Sequence, residues 1–284
     1  MNNETHLSFT SVGDISLTDL KKLVTFIKNN FNFDFSQYAM SSFKRRVARV
    51  LQLYSISNVD ELISGLVNRR ELFDEFLKEI TVNHTEMFRA PSFWRKLRDQ
   101  VIPLLACNQP IRIWSAACSS GEEIYSLAIL LQEAGVYEKA RIVASDINDR
   151  VIAKAKSGTY WIRSLEVNEK NYQRFEGKMK LSDYYVTSGD NYIMNKDLLR
   201  NVSFKQFDLV MGSEFSKFDL ILCRNVLIYF TPELQNQVLR LFNNSLFMKG
   251  FLAVGEKETI AFCKNAEKFE TFCAEERIYR KISE

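Results

Sequence analysis

The chain opens its patterned part at Ser16, a residue suited to cap a helix, and KKLVTFIKNNF then places apolar positions at helical spacing. A second helix is predicted over about 41–53, a third after Ser57-Asn-Val-Asp, a fourth over about 70–80 and a fifth through FWRKLRDQVIPLL. From Ile111 the texture changes. IRIWSA is a short apolar run followed by a turn and a helical pattern, EEIYSLAILLQEAG, which Gly135 closes. RIVAS and DINDRVIAKAKSG repeat the strand-then-helix order, and FDLILC, PELQNQVLRLFNNSL and FLAVGE continue it. This alternation predicts an α/β fold with a doubly wound, mostly parallel sheet. Between about 178 and 207 the rhythm breaks: YYVTSG and NYIMN flank the turn signal Ser188-Gly189-Asp190, which predicts a small β-rich insertion. KFETFC and RIYRKI at the end predict a hairpin that gives the sheet an antiparallel edge. Two domains are therefore expected, a helical one over 1–88 and an α/β one over 89–284.

Composition narrows this picture. With 46% hydrophobic and 26% charged residues the chain has the balance of a soluble globular protein. No apolar run reaches the roughly 18 residues that span a bilayer. The first residues, MNNETHLSFTSVGD, are polar and acidic where a leader would be basic and then apolar, so a cytoplasmic protein without membrane insertion is expected. Five scattered cysteines (Cys107, Cys118, Cys223, Cys263, Cys273) suit free thiols in a reducing compartment. With only His6 and His84 and no paired cysteine spacing, no metal site is expected. A net charge of +3 is too small to argue for nucleic acid by itself.

Four segments carry candidate chemistry. Ala116-Ala-Cys-Ser-Ser-Gly-Glu-Glu123 runs from the first strand of the sheet into a helix, where doubly wound folds bind nucleotide-like ligands. A pyrophosphate would need more glycines than Gly121 and would avoid the two glutamates; a cationic ligand such as a sulfonium amino acid suits them. An ordinary turn with a capping acid has the same residues. Asp146 ends the second strand, where an acid accepts from ribose hydroxyls, or caps the next helix. Arg224 and Asn225 follow the strand FDLILC at the same edge, with Tyr229 shortly after; a solvated arginine and a core tyrosine are the plain alternatives. Upstream, Asn83-His-Thr-Glu-Met-Phe-Arg89 concentrates hydrogen-bonding groups at a junction between helices, where Asn83 or Thr85 could also be a simple cap.

Taken together, Asn83-x-Thr-x-x-Phe-Arg89, WSAACSSGEEIYSLAI, ASDI and CRNVLIYF closely resemble the CheR family of chemotaxis receptor methyltransferases, over nearly the whole chain. The resemblance implies an S-adenosylmethionine-dependent methyltransferase fold and methyl transfer to glutamate side chains on the cytoplasmic helices of chemoreceptors, releasing S-adenosylhomocysteine. It places Asn83, Thr85, Arg89, Glu123, Asp146, Asp208, Leu209, Arg224 and Asn225 at the cofactor, and Arg89 and Tyr229 at the reacting carboxylate. Two departures stand out. Asp208 occupies a position where relatives are expected to carry Asn, and Gly255-Glu-Lys-Glu stands where Gly-His-Ser-Glu is expected.

A glutamate carboxylate, with a pKa near 4.3, is ionised at neutral pH and needs no general base, so a catalytic histidine is not required. Arg89 would grip the carboxylate and Tyr229 orient it. In SSFKRRVARVL, Phe43, Val47, Val50 and Leu51 share one helical face, while Arg45 and Arg49, with Arg46 beside them, make a basic stripe suited to an acidic receptor helix or merely to water. Two other functions fit part of the pattern: a nucleic-acid methyltransferase, against which no base-activating Asn-Pro-Pro-Tyr loop is found, and a non-catalytic scaffold that binds cofactor and receptor.

Overall fold

The computed structural model of the protein describes residues 15–81, 85–107 and 110–284. Among these residues the chain forms two compact units, dividing between residues 82 and 83. That lies six residues before the boundary expected above. The reason is that Met87 N donates to Asn168 Oδ1 (3.0 Å) and Phe88 N to Ser126 Oγ (2.8 Å), which fastens this segment to the second unit.

The first unit holds α1 (Leu17–Phe31), α2 (Met40–Leu53), α3 (Val59–Asn68) and α4 (Arg70–Thr81). Ser16 caps α1 by a reciprocal pair, its Oγ accepting from Asp19 N while Asp19 Oδ2 accepts from Ser16 N. Asn58 caps α3 by accepting from Glu61 N. The apolar stripes recur at helical spacing: Leu20, Leu23, Val24 and Ile27 on α1 and Phe43, Val47, Val50 and Leu51 on α2 are all buried. Phe31 stacks on Phe73 of α4 with ring centres 3.8 Å apart, closing one aromatic end of this core.

The second unit begins with α5 (Pro91–Lys96), a π-turn over Leu97–Val101 and α6 (Ile102–Leu105). The widened turn sits just ahead of Pro103, which has no N–H to continue the α-helical ladder. Then follow β1 (Ile111–Ala116), α7 (Glu122–Glu133), β2 (Ala140–Asp146), α8 (Asp149–Ser157), β3 (Thr159–Trp161), α9 (Leu165–Phe175), β4 (Tyr185–Ser188), β5 (Asn191–Met194) and β6 (Val202–Gln206). The unit ends with β7 (Phe218–Cys223), α10 (Pro232–Ser245), β8 (Leu246–Val254), β9 (Phe269–Cys273) and β10 (Ile278–Lys281).

Seven strands make one sheet in the order β6-β2-β1-β7-β8-β10-β9, parallel from β6 to β8. The final hairpin supplies the antiparallel end as expected, but β10 pairs with β8 and leaves β9 outermost. A second, antiparallel sheet has the order β3-β5-β4. Its strand β3 lies at Thr159–Trp161, ahead of the 178–207 segment, whereas β6, inside that segment, belongs to the main sheet. Trp114 of β1 is fully buried, its Nε1 donating to Ser145 Oγ (2.8 Å) and its ring packed against Phe207, Phe218 and Phe242.

Candidate active site

Register decides which residues meet. Asp146 pairs with Gln206, Ala116 with Ser145, Ser115 with Leu222, and Cys223 with Val254. The ends of β6, β2, β1, β7 and β8 are therefore level, and the residues just beyond them share one edge. Strand order reverses between β1 and β7, the position at which open α/β sheets bind ligands. The segments that follow those two strands carry Glu123, in the first turn of α7, and Arg224.

The loop after β1 is tightly wound, with left-handed backbone at Ala117, Ser119 and Gly121. Gly121 has φ +96, and a Cβ there would fall 2.6 Å from Ala155 Cβ, so α7 can start this close to α8 only from glycine. Cys118 N donates to Ser145 O (2.8 Å) and Ser119 N to Asp146 Oδ2 (2.9 Å), which binds the loop to the end of β2. Glu122 and Glu123 occupy the first turn of α7, where the helix dipole favours negative charge. Burial pushes Glu122 up to about 7, against a hydrogen bond from Ser120. Glu123 Oε1 accepts from Ser115 Oγ (2.8 Å), and its Oε2 lies 3.5 Å from Arg224 Nη1. Burial raises the Glu123 carboxyl, opposed by the charge of Arg224 and, less, of Arg89.

Asp146 is buried and accepts from Ser119 N and, on Oδ1, from Asn148 N (3.1 Å). Burial lifts its carboxyl to about 6, partly offset by these backbone donors. It does not cap the next helix; Asn148 does, accepting from Arg150 N. After β6, Phe207 N donates to Asp146 O (2.9 Å), and Asp208 Oδ1 accepts from Val210 N (2.7 Å) to turn the chain past the buried Leu209.

Arg224 is held from three sides. Nη2 donates to Arg89 O (3.1 Å), Nη1 faces Glu123, and the guanidinium lies 4.0 Å from the centre of the Phe93 ring. Arg89 O accepts from Trp94 Nε1 as well (3.1 Å), and left-handed Phe88 and Ala90 flank it. Arg89 and Thr85 are half-buried, as is Tyr229 in a single 3₁₀ turn, Leu227–Tyr229. Asn83 and His84 lie outside the described residues.

In the first unit Arg45 and Arg49 are exposed on α2; Arg49 Nε nevertheless lies 2.9 Å from Glu79 Oε2, and the half-buried Arg46 donates from Nη1 to Glu79 O (3.2 Å). Two of the three arginines of the predicted stripe thus tie α2 to α4.

A cationic, ribose-bearing ligand fits this edge. The carboxylates of Glu122, Glu123 and Asp146 provide negative charge, and two buried polar atoms, Ser119 Oγ and Arg224 Nε, have no partner within the protein. Sequence reasoning gave no role to Ser115, Ser119 or Glu258, although all three lie inside the motifs quoted above.

Residues 83–278 match the family description "CheR methyltransferase, SAM binding domain", and residues 18–81 match "CheR methyltransferase, all-alpha domain". A putative methyltransferase, Cher3, of Pseudomonas putida is 37% identical over 263 residues, covering 93% of this chain and 96% of that protein. A chemotaxis protein methyltransferase of Listeria innocua is 33% identical over 236 residues (82% and 87% covered). One of Borreliella burgdorferi is 32% identical over 269 residues (89% and 92% covered).

Proposed function

Because the chain belongs to the CheR methyltransferase family and carries its S-adenosylmethionine-binding domain, we propose that it esterifies glutamate carboxylates on the cytoplasmic helices of chemoreceptors, as a step in chemotactic adaptation. The observation that carries this reading is the meeting of Glu123 and Arg224 at the strand-order reversal, beside Asp146 at the end of β2. That arrangement suits a ligand with a positive amino-acid end and a ribose.

In this reading Asp146 accepts from the ribose hydroxyls, and Glu123 with Arg224 faces the charged amino-acid end. Leu209 and the backbone of Asp208 flank the base, and Thr85, Asn83 and Asn225 complete the cofactor's surroundings. The cofactor supplies a methyl group on a sulfonium; the carbon–oxygen bond forms as the carbon–sulfur bond breaks, and opposite charges are annulled without proton transfer. The protein's work is then positioning. Arg89 holds the oxygen of the glutamate that does not attack, because gripping the attacking oxygen would lower its nucleophilicity, and Tyr229 orients the carboxylate. An acidic receptor helix would meet the basic stripe of α2, with Arg45 and Arg49 as its exposed members. Among the described residues no helix is long and apolar enough to cross a membrane.

Methyl transfer from labelled S-adenosylmethionine to receptor cytoplasmic fragments tests the proposal. The product should be a methyl ester, released as methanol by mild base.

A further inference from the structure

The turn after β8, Gly255-Glu-Lys-Glu258, leaves the same sheet edge as the loop that carries Arg224, Asn225 and Tyr229. Glu258 is only 4% exposed. Its Oε2 accepts from the backbone N of Asn225 (2.9 Å) and from that of Gly255, and its Oε1 accepts from Ile228 N (3.3 Å). A single carboxylate thus closes one loop on another through three backbone donors. The two donors it takes from the reaction-edge loop belong to the residues next to Arg224 and next to Tyr229.

The backbone turns at Asn225, whose φ of +63 lies in the left-handed region that asparagine enters more readily than most side chains. Gly255 packs tightly against it beside Glu258: a Cβ there would lie 2.6 Å from Asn225 Nδ2, 2.7 Å from Glu258 Oε2 and 2.8 Å from Asn225 N. Gly255 is not among the residues with positive φ, so glycine is needed here for space and not for conformation.

We propose that Glu258 is a positioning residue for methyl transfer, fixing the loop that presents Arg224, Asn225 and Tyr229, with Gly255 providing the room for it. This rests on the function proposed above and names the group that sets the geometry. A carboxylate is required, because both oxygens accept. Glutamine would offer one oxygen and turn an amide N–H toward either Ile228 N–H or the Asn225 and Gly255 donors.

The test uses the full chain with Glu258→Gln, Glu258→Asp and Gly255→Ala, comparing S-adenosylhomocysteine affinity and receptor-fragment methylation while melting temperature reports folding. Glu258→Gln and Gly255→Ala are expected to bind S-adenosylhomocysteine several-fold more weakly. Their kcat should fall about 10- to 100-fold, the scale of a misplaced reacting group, with receptor KM changed less than about threefold. Glu258→Asp should recover part of the loss. Gly255→Ala keeps the carboxylate and the permitted backbone, so it carries the test even if Glu258→Gln fails to fold. Wild-type kcat in a folded Gly255→Ala variant would overturn the assignment. A wild-type protein that binds no S-adenosylhomocysteine and transfers no methyl group would instead overturn the function on which the assignment rests.

Discussion

Arg224 Nη1 stands 3.5 Å from Glu123 Oε2, and the two side chains are 5% and 14% exposed. Desolvation makes such a pair a weak source of net stability, but removing one partner strands the other. Arg224→Ala should therefore lower unfolding free energy by about 3 kcal/mol, measured by urea denaturation. The double variant Glu123→Gln, Arg224→Met should recover most of that loss without recovering cofactor affinity. Recovery of both would make the pair structural only.

Asp146 is proposed to accept from the cofactor's ribose. Asp146→Ala should weaken S-adenosylhomocysteine binding by about 1.5–3 kcal/mol, the scale of a hydrogen bond to a charged group. Burial raises the carboxyl to about 6, so the fold prefers it protonated, and its contribution to stability is present in acid and lost as pH rises through 6. Ribose hydroxyls prefer the ionised form, so ligand affinity moves the other way. Calorimetry should show binding weakening about tenfold from pH 7 to pH 5. Asp146→Asn should flatten that dependence, whereas Glu122→Gln, at the neighbouring carboxyl raised to about 7, should keep it.

Tyr229 is proposed to orient the substrate carboxylate. Tyr229→Phe should lower kcat about tenfold or more while changing cofactor affinity less than about twofold. Single-turnover kinetics beside calorimetry separates the two effects, and normal turnover would return Tyr229 to packing.

Arg46 and Arg49 already engage Glu79, so reversing all three charges of α2 would disturb the helical unit as well as any partner. Arg45→Glu is the cleaner probe. It should slow receptor methylation at low salt, with the difference from wild type shrinking as ionic strength rises, and leave cofactor binding alone. Equal rates at low salt would mean that this face meets only water.

Strand β6, Val-Ser-Phe-Lys-Gln, has no apolar run and fell within the expected insertion, whereas β1, β2, β7 and β8 were legible because each is a short apolar run, and Gly121 and Gly135 mark the ends of α7. Strand β3 was not, because three residues at Thr159–Trp161 carry no alternation and become a strand only by pairing with β5. Nor was the place of β10 between β8 and β9, a choice among partners distant in sequence. At the site, motif spacing singled out Glu123, Asp146 and Arg224. Glu258 escaped because its three donors belong to backbone, which no residue pattern identifies. The engagement of Arg46 and Arg49 by Glu79 was equally hidden, since a basic stripe looks the same whether it faces solvent or a neighbouring helix.

The central claim is that a glutamate carboxylate receives the methyl group. The most direct measurement is to incubate the protein with methyl-labelled S-adenosylmethionine and chemoreceptor cytoplasmic fragments, then treat the labelled receptor with mild base. The account predicts label on receptor glutamates that leaves quantitatively as volatile methanol. Label that stays on the receptor through base, or that appears on nucleic acid instead, would contradict it.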